Sequence, residues 1–412
     1  MDGKRLLRSL RLENFLSYGK AIHLGLEPLN VFIGQNASGK SNLIQAIELL
    51  RAAPTNLSLP FIQGGGVEEW LYKGGTQAPI AGVEVVTDDS PNSEASSHYF
   101  ESLSHSFYFA SVGHNFSLIS EGITPSSNDW RSLPPPDFSY YQYRNGNPVI
   151  TVQHRTVTPD GDVVDEEWEE KSLTGIKPEL SILSQRYDPE AYPSLSYLSD
   201  QYRSIKIYRH FNFDGSNSMR RAQQPDLPSD FLEEDGRNLS LILNDLQFRG
   251  VMPKIVEKLQ SVYEDVEDIA IRVGGGTVQT FIRERGMSSP IPATRLSDGT
   301  LRYLCLLAIL YHPTPPPLIC LEDPEIGLHP DLISSLAEML KDASLRTQLI
   351  VTTHSDLLVS KFSEEPGAVV VCERTPDGTT LERLDAGKLG SWLEEYSLGE
   401  VWLKGGLGGT RW

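Results

Sequence analysis

The sequence predicts an α/β fold built on a parallel sheet, and three stretches carry that expectation. Each is a short apolar run followed at once by polar residues of unusual type. Leu29 to Ile33 precedes a glycine-rich loop, Pro317 to Leu321 precedes two acids, and Leu349 to Val351 precedes Thr352-Thr353-His354-Ser355. Strands covered on both faces read as continuous apolar runs, and ligands of open α/β sheets gather at the carboxyl ends of such strands.

The first stretch is the most specific. Gly34-Gln35-Asn36-Ala37-Ser38-Gly39-Lys40-Ser41 has the form GxxxxGKS, and Leu43, Ile44, Ile47 and Leu50 recur behind it at helical spacing. In a strand–loop–helix context, backbone N–H groups of the turn and of the helix start wrap phosphates. Lys40 adds a point charge for the terminal phosphates, and the Ser41 hydroxyl can ligate Mg²⁺. Gly34 to Ser41, with Asn42 next in the first helical turn, are therefore the expected site for a nucleoside triphosphate.

Composition narrows the rest. The chain has 412 residues, enough for two or three average domains or one large α/β unit with an insertion. Its longest apolar run, Tyr303 to Tyr311, is too short to cross a bilayer. The N-terminal MDGKRLLRSLRLENF lacks an apolar core of signal-peptide length. Cys305, Cys320 and Cys372 are widely spaced with no CxxC pair, which indicates neither a disulfide framework nor a zinc site. A cytoplasmic location is the expectation. The net charge of −19 repels nucleic acid on average, so avid DNA binding by this chain alone is disfavoured.

Downstream, Leu296-Ser297-Asp298-Gly299-Thr300 precedes the apolar run Leu304 to Leu310, which reads as a loop entering a buried helix. The strand Leu318 to Leu321 then delivers Glu322 and Asp323 at its carboxyl end, where Glu322 can hold Mg²⁺ and Asp323 can orient a water. Gly327-Leu328-His329-Pro330 opens another helix, with Pro330 suited to its first turn and Leu332, Ile333, Leu336 and Leu340 on its core face.

Taken together, these motifs resemble the RecF and SMC-like branch of ABC-type ATPases, within the AAA-type group related to OLD-family heads. Leu12-Glu13-Asn14-Phe15, Gly34 to Ser41, Leu296 to Thr300, Glu322 to Pro330 and Thr352 to Ser355 carry the likeness. Gly236-Arg237-Asn238-Leu239 and Leu398-Gly399-Glu400-Val401-Trp402 add to it. The resemblance implies an ABC-type P-loop ATPase head with ATP and Mg²⁺ as cofactors, Ser41 and Glu322 on the metal, and Asp323, Glu322 and His354 as catalytic residues. Ser297 and Gly299 would bind the γ-phosphate held by a second head, so the active form would be a homodimer sandwiching two ATP molecules. One departure stands out: the superfamily's usual order at the acids is Asp then Glu, whereas this chain has Glu322 then Asp323. Glu325, beyond Pro324, is a second candidate base.

The head is expected from residues 1–89 and 290–412, with a mixed α+β lobe inserted at 90–289. Within the lobe, Phe107 to Phe109 and Val149 to Val157 read as strands, Leu239 to Leu246 as a helix, and acidic Asp162 to Glu170 as a solvated turn or helix start. Pro/Ser-rich Ser90 to Ser97 and Thr124 to Pro136 mark loops. Tyr202 to Arg209 alternates apolar and basic residues and reads as a strand with one basic face; with Arg220 and Arg221 it is the best nucleic-acid patch available. No sustained heptads point to long coiled-coil arms. Trp402 and Trp412 are candidate anchors for the glycine-rich tail. The resemblance further implies an ATP-gated regulator of a separately encoded effector, such as a TOPRIM-type nuclease in bacterial anti-phage defence. The alternative is a RecF-like repair ATPase that engages DNA itself; a transporter subunit fits the insertion poorly.

Overall fold

Leu29–Ile33 is buried at every position, as its apolar residues demand, and the one polar member, Asn30, is satisfied by donating its amide to the Glu27 and Leu349 carbonyls. Around it the computed structural model describes residues 3–75, 79–88, 102–126, 138–144, 146–157, 163–214 and 218–408. In chain order, β1 (Leu7–Glu13), β2 (Ile22–Gly25) and β3 (Leu29–Ile33) lead into α1 (Lys40–Ala52), α2 (Leu59–Gln63) and β4 (Ala81–Thr87). A meander follows, with β5 (Leu103–Val112), β6 (Asn115–Pro125), β7 (Tyr141–Arg144), β8 (Asn147–Val157) and β9 (Val163–Ser172). Then α3 (Ile182–Gln185) and α4 (Pro193–Arg203) return to the three-residue β10 (Lys206–Tyr208). Next come α5 (Leu239–Phe248), α6 (Met252–Gln260), β11 (Val266–Gly274), β12 (Thr277–Glu284) and β13 (Ile291–Pro292). The chain continues with α7 (Asp298–Leu310), β14 (Leu318–Glu322), α8 (Leu332–Ser344), β15 (Gln348–Thr352) and α9 (Asp356–Ser360). It closes with β16 (Val369–Thr375), β17 (Gly378–Arg383), α10 (Ala386–Leu393) and α11 (Leu398–Leu403).

Three sheets form. The central one has the order β10-β14-β15-β3-β16-β17, parallel except for the β16–β17 hairpin. Strand alternation sends its side chains into two cores. Val31, Ile319, Leu321 and Val351 face α7 and α8, while Phe32, Cys320 and Ile350 face α1. An antiparallel sheet, β2-β1-β4-β5-β6-β7-β8-β9, covers the far side of α1 and shares its core. The third, β11-β12-β13, packs on α5 and α6. Residues from the stretch 90–289 thus supply strands to both larger sheets: β5 to β9 extend the antiparallel one, and β10 forms one edge of the central one.

Several local readings change. Phe107 to Phe109 belongs to the much longer β5, and Val149 to Val157 lies within β8. The acidic segment is not a turn or helix start: from Val163 it is β9, paired antiparallel along β8, and ladder hydrogen bonds override the weak strand propensity of Asp and Glu. Tyr202 to Arg209 is not one strand. Arg203 ends α4, only Lys206 to Tyr208 pair with β14, and Arg209 lies past the strand end. Pro330 sits in the turn before α8 rather than inside it, its carbonyl accepting from the Ile333 N–H. Trp402 is fully buried in the core beside α9, and Ser397 with Glu400 forms a reciprocal cap on α11. Caps of this kind contribute about 1 kcal/mol. Trp412, the Ser90 to Ser97 loop and most of the Thr124 to Pro136 loop lie outside the described residues. No helix among the described residues is long and apolar enough to cross a membrane.

Candidate functional site at the carboxyl edge of the central sheet

The glycine-rich loop turns sharply out of β3 because two of its positions admit only glycine. Gly34 has φ +148°, and a Cβ there would stand 2.2 Å from the Cys372 carbonyl oxygen. Gly39 has φ +105°, and its Cβ would meet both Ser17 Oγ and Thr379 Oγ1 at 2.6 Å. Between them Ala37 also takes a left-handed φ of +61°. Neighbouring segments clamp the loop. Tyr18 donates its hydroxyl to the Gly39 carbonyl at 2.9 Å, and Thr379 donates to the Ser38 carbonyl at 2.8 Å. Asn42 turns its amide onto Ser17 Oγ at 2.7 Å, bracing the loop from the helix side. Gln35, Asn36 and Ala37 stand exposed at the rim.

Lys40 opens α1 and folds back across the loop, its ammonium donating to the Gly34 and Gln35 carbonyls at 2.7 and 2.9 Å. The residue is only 5% exposed, and burial pulls its pKa below the usual lysine value despite the acids nearby. Ser38 Oγ is buried without a hydrogen-bond partner among the described residues. A buried ammonium, an orphaned hydroxyl and a left-handed backbone cradle fit a polyanion.

Ser41 Oγ donates to Glu322 Oε1 at the end of β14, so the serine and the first acid already share one point in space. Paired hard oxygens of this type suit a Mg²⁺ ion. Asp323 follows with φ +45°, a left-handed conformation costing a non-glycine residue of order 1–3 kcal/mol. Its N–H donates to the Thr352 carbonyl at 3.1 Å, and the turn aims its carboxylate toward His354, whose Nε2 lies 4.0 Å from Asp323 Oδ2. Glu325 goes inward instead. It is 9% exposed, accepts from the Thr353 hydroxyl and from the His354 N–H at 3.1 Å, and burial raises its pKa.

Ser41, Asp323 and His354 border a cavity of about 700 Å³, walled by Asn36 to Asn42, Asp323, Thr352 and His354. Leu16, Ser17, Glu69, Leu71 to Gly74, Arg374 to Pro376 and Gly378 complete it. That volume suits a ligand of nucleotide size. Ser297 and Gly299 are not among its walls. Ser297 caps α7, its Oγ accepting from the Thr300 N–H at 3.1 Å, and Gly299 lies against the turn after β14, where a Cβ would meet the Gly327 carbonyl oxygen at 2.8 Å. Arg220 braces this loop, donating to the Leu296 carbonyl and the Asp298 carboxylate while its Nε donates to the Phe213 carbonyl at 3.1 Å.

The structure thus brings Lys40, Ser41, Glu322, Asp323 and His354 together and leaves Ser297 and Gly299 outside the cavity. Sequence reasoning missed Ser17, Tyr18 and Thr379, which hold the loop through ordinary hydroxyls that no motif marks. The expected basic face also dissolves. Arg203 lies 3.9 Å from Asp200 and donates to the Pro54 carbonyl, Lys206 pairs with Glu233 at 3.5 Å, and Arg209 pairs with Glu48 and Glu322. Each cation answers a carboxylate of this chain rather than forming a phosphate-binding stripe.

Two family models match the sequence. One, described as "AAA domain, putative AbiEii toxin, Type IV TA system", covers residues 126–360, and an AAA ATPase domain model covers residues 6–99. No curated protein matches the sequence. Among solved structures, an Smc head bound to the C-winged helix domain of ScpA superposes with a TM-score of 0.51 at 12% identity, over 94% of this chain and 99% of that one. An Smc head with an extended coiled coil, bound to the C-terminal domain of ScpA and derived from Pyrococcus furiosus, gives the same score and identity over 95% and 99%. At such identity the likeness is one of fold. Sequence match and fold agree: the chain belongs to the AAA domain family of the first description, and it folds as an ABC-type P-loop ATPase head of the SMC kind.

Proposed function

We propose that this chain binds ATP with Mg²⁺, hydrolyses it to ADP and phosphate, and closes on ATP into a homodimer that regulates a separate effector. The observation that carries the reading is the convergence of Lys40, Ser41, Asp323 and His354 around one cavity, with Glu322 held on the Ser41 hydroxyl. Gly34 to Gly39 wrap the phosphates with their amides, and Lys40 exchanges its two carbonyl partners for phosphate oxygens. Ser41 and Glu322 hold the metal, which when bound supplies Lewis-acid neutralisation of the phosphate charge. Asp323 positions the attacking water, and His354 senses the γ-phosphate from the next strand. Catalysis of this kind is mostly positioning and electrostatic stabilisation. Glu325 braces the His354 turn from within the core, accepting from the Thr353 hydroxyl and the His354 N–H, which supports Asp323 over it as the base.

Dimerisation is supported by the place of Ser297 and Gly299. A helix start is a ready anion site, and this one stands outside its own chain's cavity, which supports a second head as the source of its phosphate. In this reading residues 1–89 and 290–412 carry the nucleotide motifs, and 90–289 extend the same sheets with β5 to β9 and the edge strand β10. The effector is a separately encoded cytoplasmic protein, a TOPRIM-type nuclease of anti-phage defence being the favoured class. The −19 charge and the internally paired Lys206 and Arg209 support a protein partner over DNA. Calorimetry with ATP and light scattering with a non-hydrolysable analogue test both halves: no binding heat would refute the site, and a monomer at saturating analogue would refute the sandwich.

A further inference from the structure

Arg209 leaves β10 at the edge beside β14, and its guanidinium meets two carboxylates at once. Nη2 donates to Glu48 Oε2 on α1 at 3.0 Å, and Nε lies 3.3 Å from Glu322 Oε2. The other oxygen of Glu322 accepts from Ser41. The three side chains are partly withdrawn from water, with Arg209 32%, Glu48 18% and Glu322 19% exposed. The arrangement is fixed from behind, since Arg51 lies 3.6 Å from Glu48 and also pairs with Glu234, which accepts from the Ile207 N–H at 2.9 Å.

We propose that Arg209 is a positioning residue for Glu322, which also fills, with a fixed cation, the place between Glu48 and Glu322 that would otherwise draw in a divalent ion. The inference rests on Ser41 and Glu322 being the metal ligands. A carboxylate with one oxygen tied by a guanidinium and the other facing a hydroxyl keeps a single orientation, and the planar fork suits that task as an ammonium would not. Without Arg209 the cation left beside the two half-buried carboxylates is Arg51, which lies 3.6 Å from Glu48 and is shared with Glu234, so their charge is under-compensated and attracts a further counter-charge. With Arg209 in place this demand is already met, so metal enters with the nucleotide and not before it. The unusual Glu–Asp order gains a reason here: the extra methylene of Glu322 lets its carboxylate span from Ser41 to Arg209.

The test uses Mn²⁺ as the probe on the nucleotide-free full chain, read by electron paramagnetic resonance. Arg209→Gln should bind Mn²⁺ at least about tenfold more tightly than the wild type, an effect worth about 1.4 kcal/mol. The double variant Arg209→Gln, Glu48→Gln should return to the wild-type value. Equal Mn²⁺ affinity in the wild type and a folded Arg209→Gln would overturn the proposal. Should Arg209→Gln fail to fold, Arg209→Lys keeps the charge and loses the fork. It should still exclude Mn²⁺ but show a kcat lowered about tenfold at saturating Mg²⁺ with little change in KM for ATP; a wild-type kcat would overturn the positioning role. Failure of the wild type to bind ATP in calorimetry would strike the ATPase reading instead, a result separate from both.

Discussion

Replacing Lys40 by Ala should cost ATP affinity heavily while leaving the nucleotide-free protein no less stable. The ammonium makes two hydrogen bonds, to the Gly34 and Gln35 carbonyls, and is almost wholly buried. Those two bonds are already charge-assisted, so what a phosphate adds is ion–ion attraction, about 1 kcal/mol at 4 Å in water and about 4 kcal/mol at an effective dielectric near 20. Trading two carbonyls for two phosphate oxygens therefore gains roughly 1–4 kcal/mol, or about fivefold to a thousandfold in Kd at 1.4 kcal/mol per tenfold. The upper end is favoured, because the site is withdrawn from water and screening is weak. The stability side has the opposite sign. Burial lowers the folded-state pKa of Lys40 below its unfolded value, so the charged form is penalised by folding at neutral pH. That penalty fades as pH rises through the lowered pKa, where the folded lysine sheds its proton. Lys40→Ala and the stem-preserving Lys40→Met should thus match or exceed the wild-type Tm at pH 7, with the advantage shrinking in alkali. Calorimetry and thermal melts without nucleotide decide the case. Unchanged ATP affinity would refute the loop assignment, and a Tm several degrees lower in both variants would show that Lys40 chiefly holds the loop together.

Asp323→Asn should bind ATP normally and hydrolyse it about 10²–10⁴-fold more slowly, accumulating as dimer in light scattering; if Glu325→Gln stops turnover and Asp323→Asn does not, the base is misassigned. Ser297→Arg should retain single-head ATP binding yet fail to dimerise with a non-hydrolysable analogue, and a variant that still dimerises would exclude the sandwich. Gly39→Ala should abolish ATP binding and lower stability by roughly 2–4 kcal/mol, from left-handed strain plus contact with Ser17 and Thr379; wild-type melting would show that the loop can shift. Duplex DNA should bind no tighter than about 10⁻⁴–10⁻⁶ M at physiological salt, unchanged by Arg203→Ala with Lys206→Ala. Tight nucleotide-independent binding in an anisotropy assay would restore the RecF-like alternative.

The nucleotide edge of this protein was legible because its chemistry is local. A glycine pair at fixed spacing, acids directly after a buried strand and a histidine after another each declare themselves within ten residues. The antiparallel extension was not legible, since β9 carries Asp165, Glu166, Glu167, Glu169 and Glu170 and owes its conformation to pairing with β8. Nor could the partners of Arg209 be read. A basic residue beside a strand looks like surface until the fold places Glu48 and Glu322, 161 and 113 positions away in sequence, against it. Ser17 and Thr379 were invisible for the same reason: their hydroxyls matter only because distant segments deliver them to the loop.

The position of β3 between β15 and β16 has a consequence for biosynthesis. Residue 33 leaves the ribosome more than 300 residues before residue 348 does, and neither flank of the strand can be paired until then. At about 5–20 residues per second the interval is on the order of tens of seconds. Throughout it, Leu29 to Ile33 is an unpaired apolar strand of the kind that invites association with other chains. The nascent chain therefore has reason to engage chaperones early. Nucleotide competence becomes a late event, arriving only when Thr379 has emerged to close over the loop, so that ATP retention would report that translation has run past the last strand of the sheet.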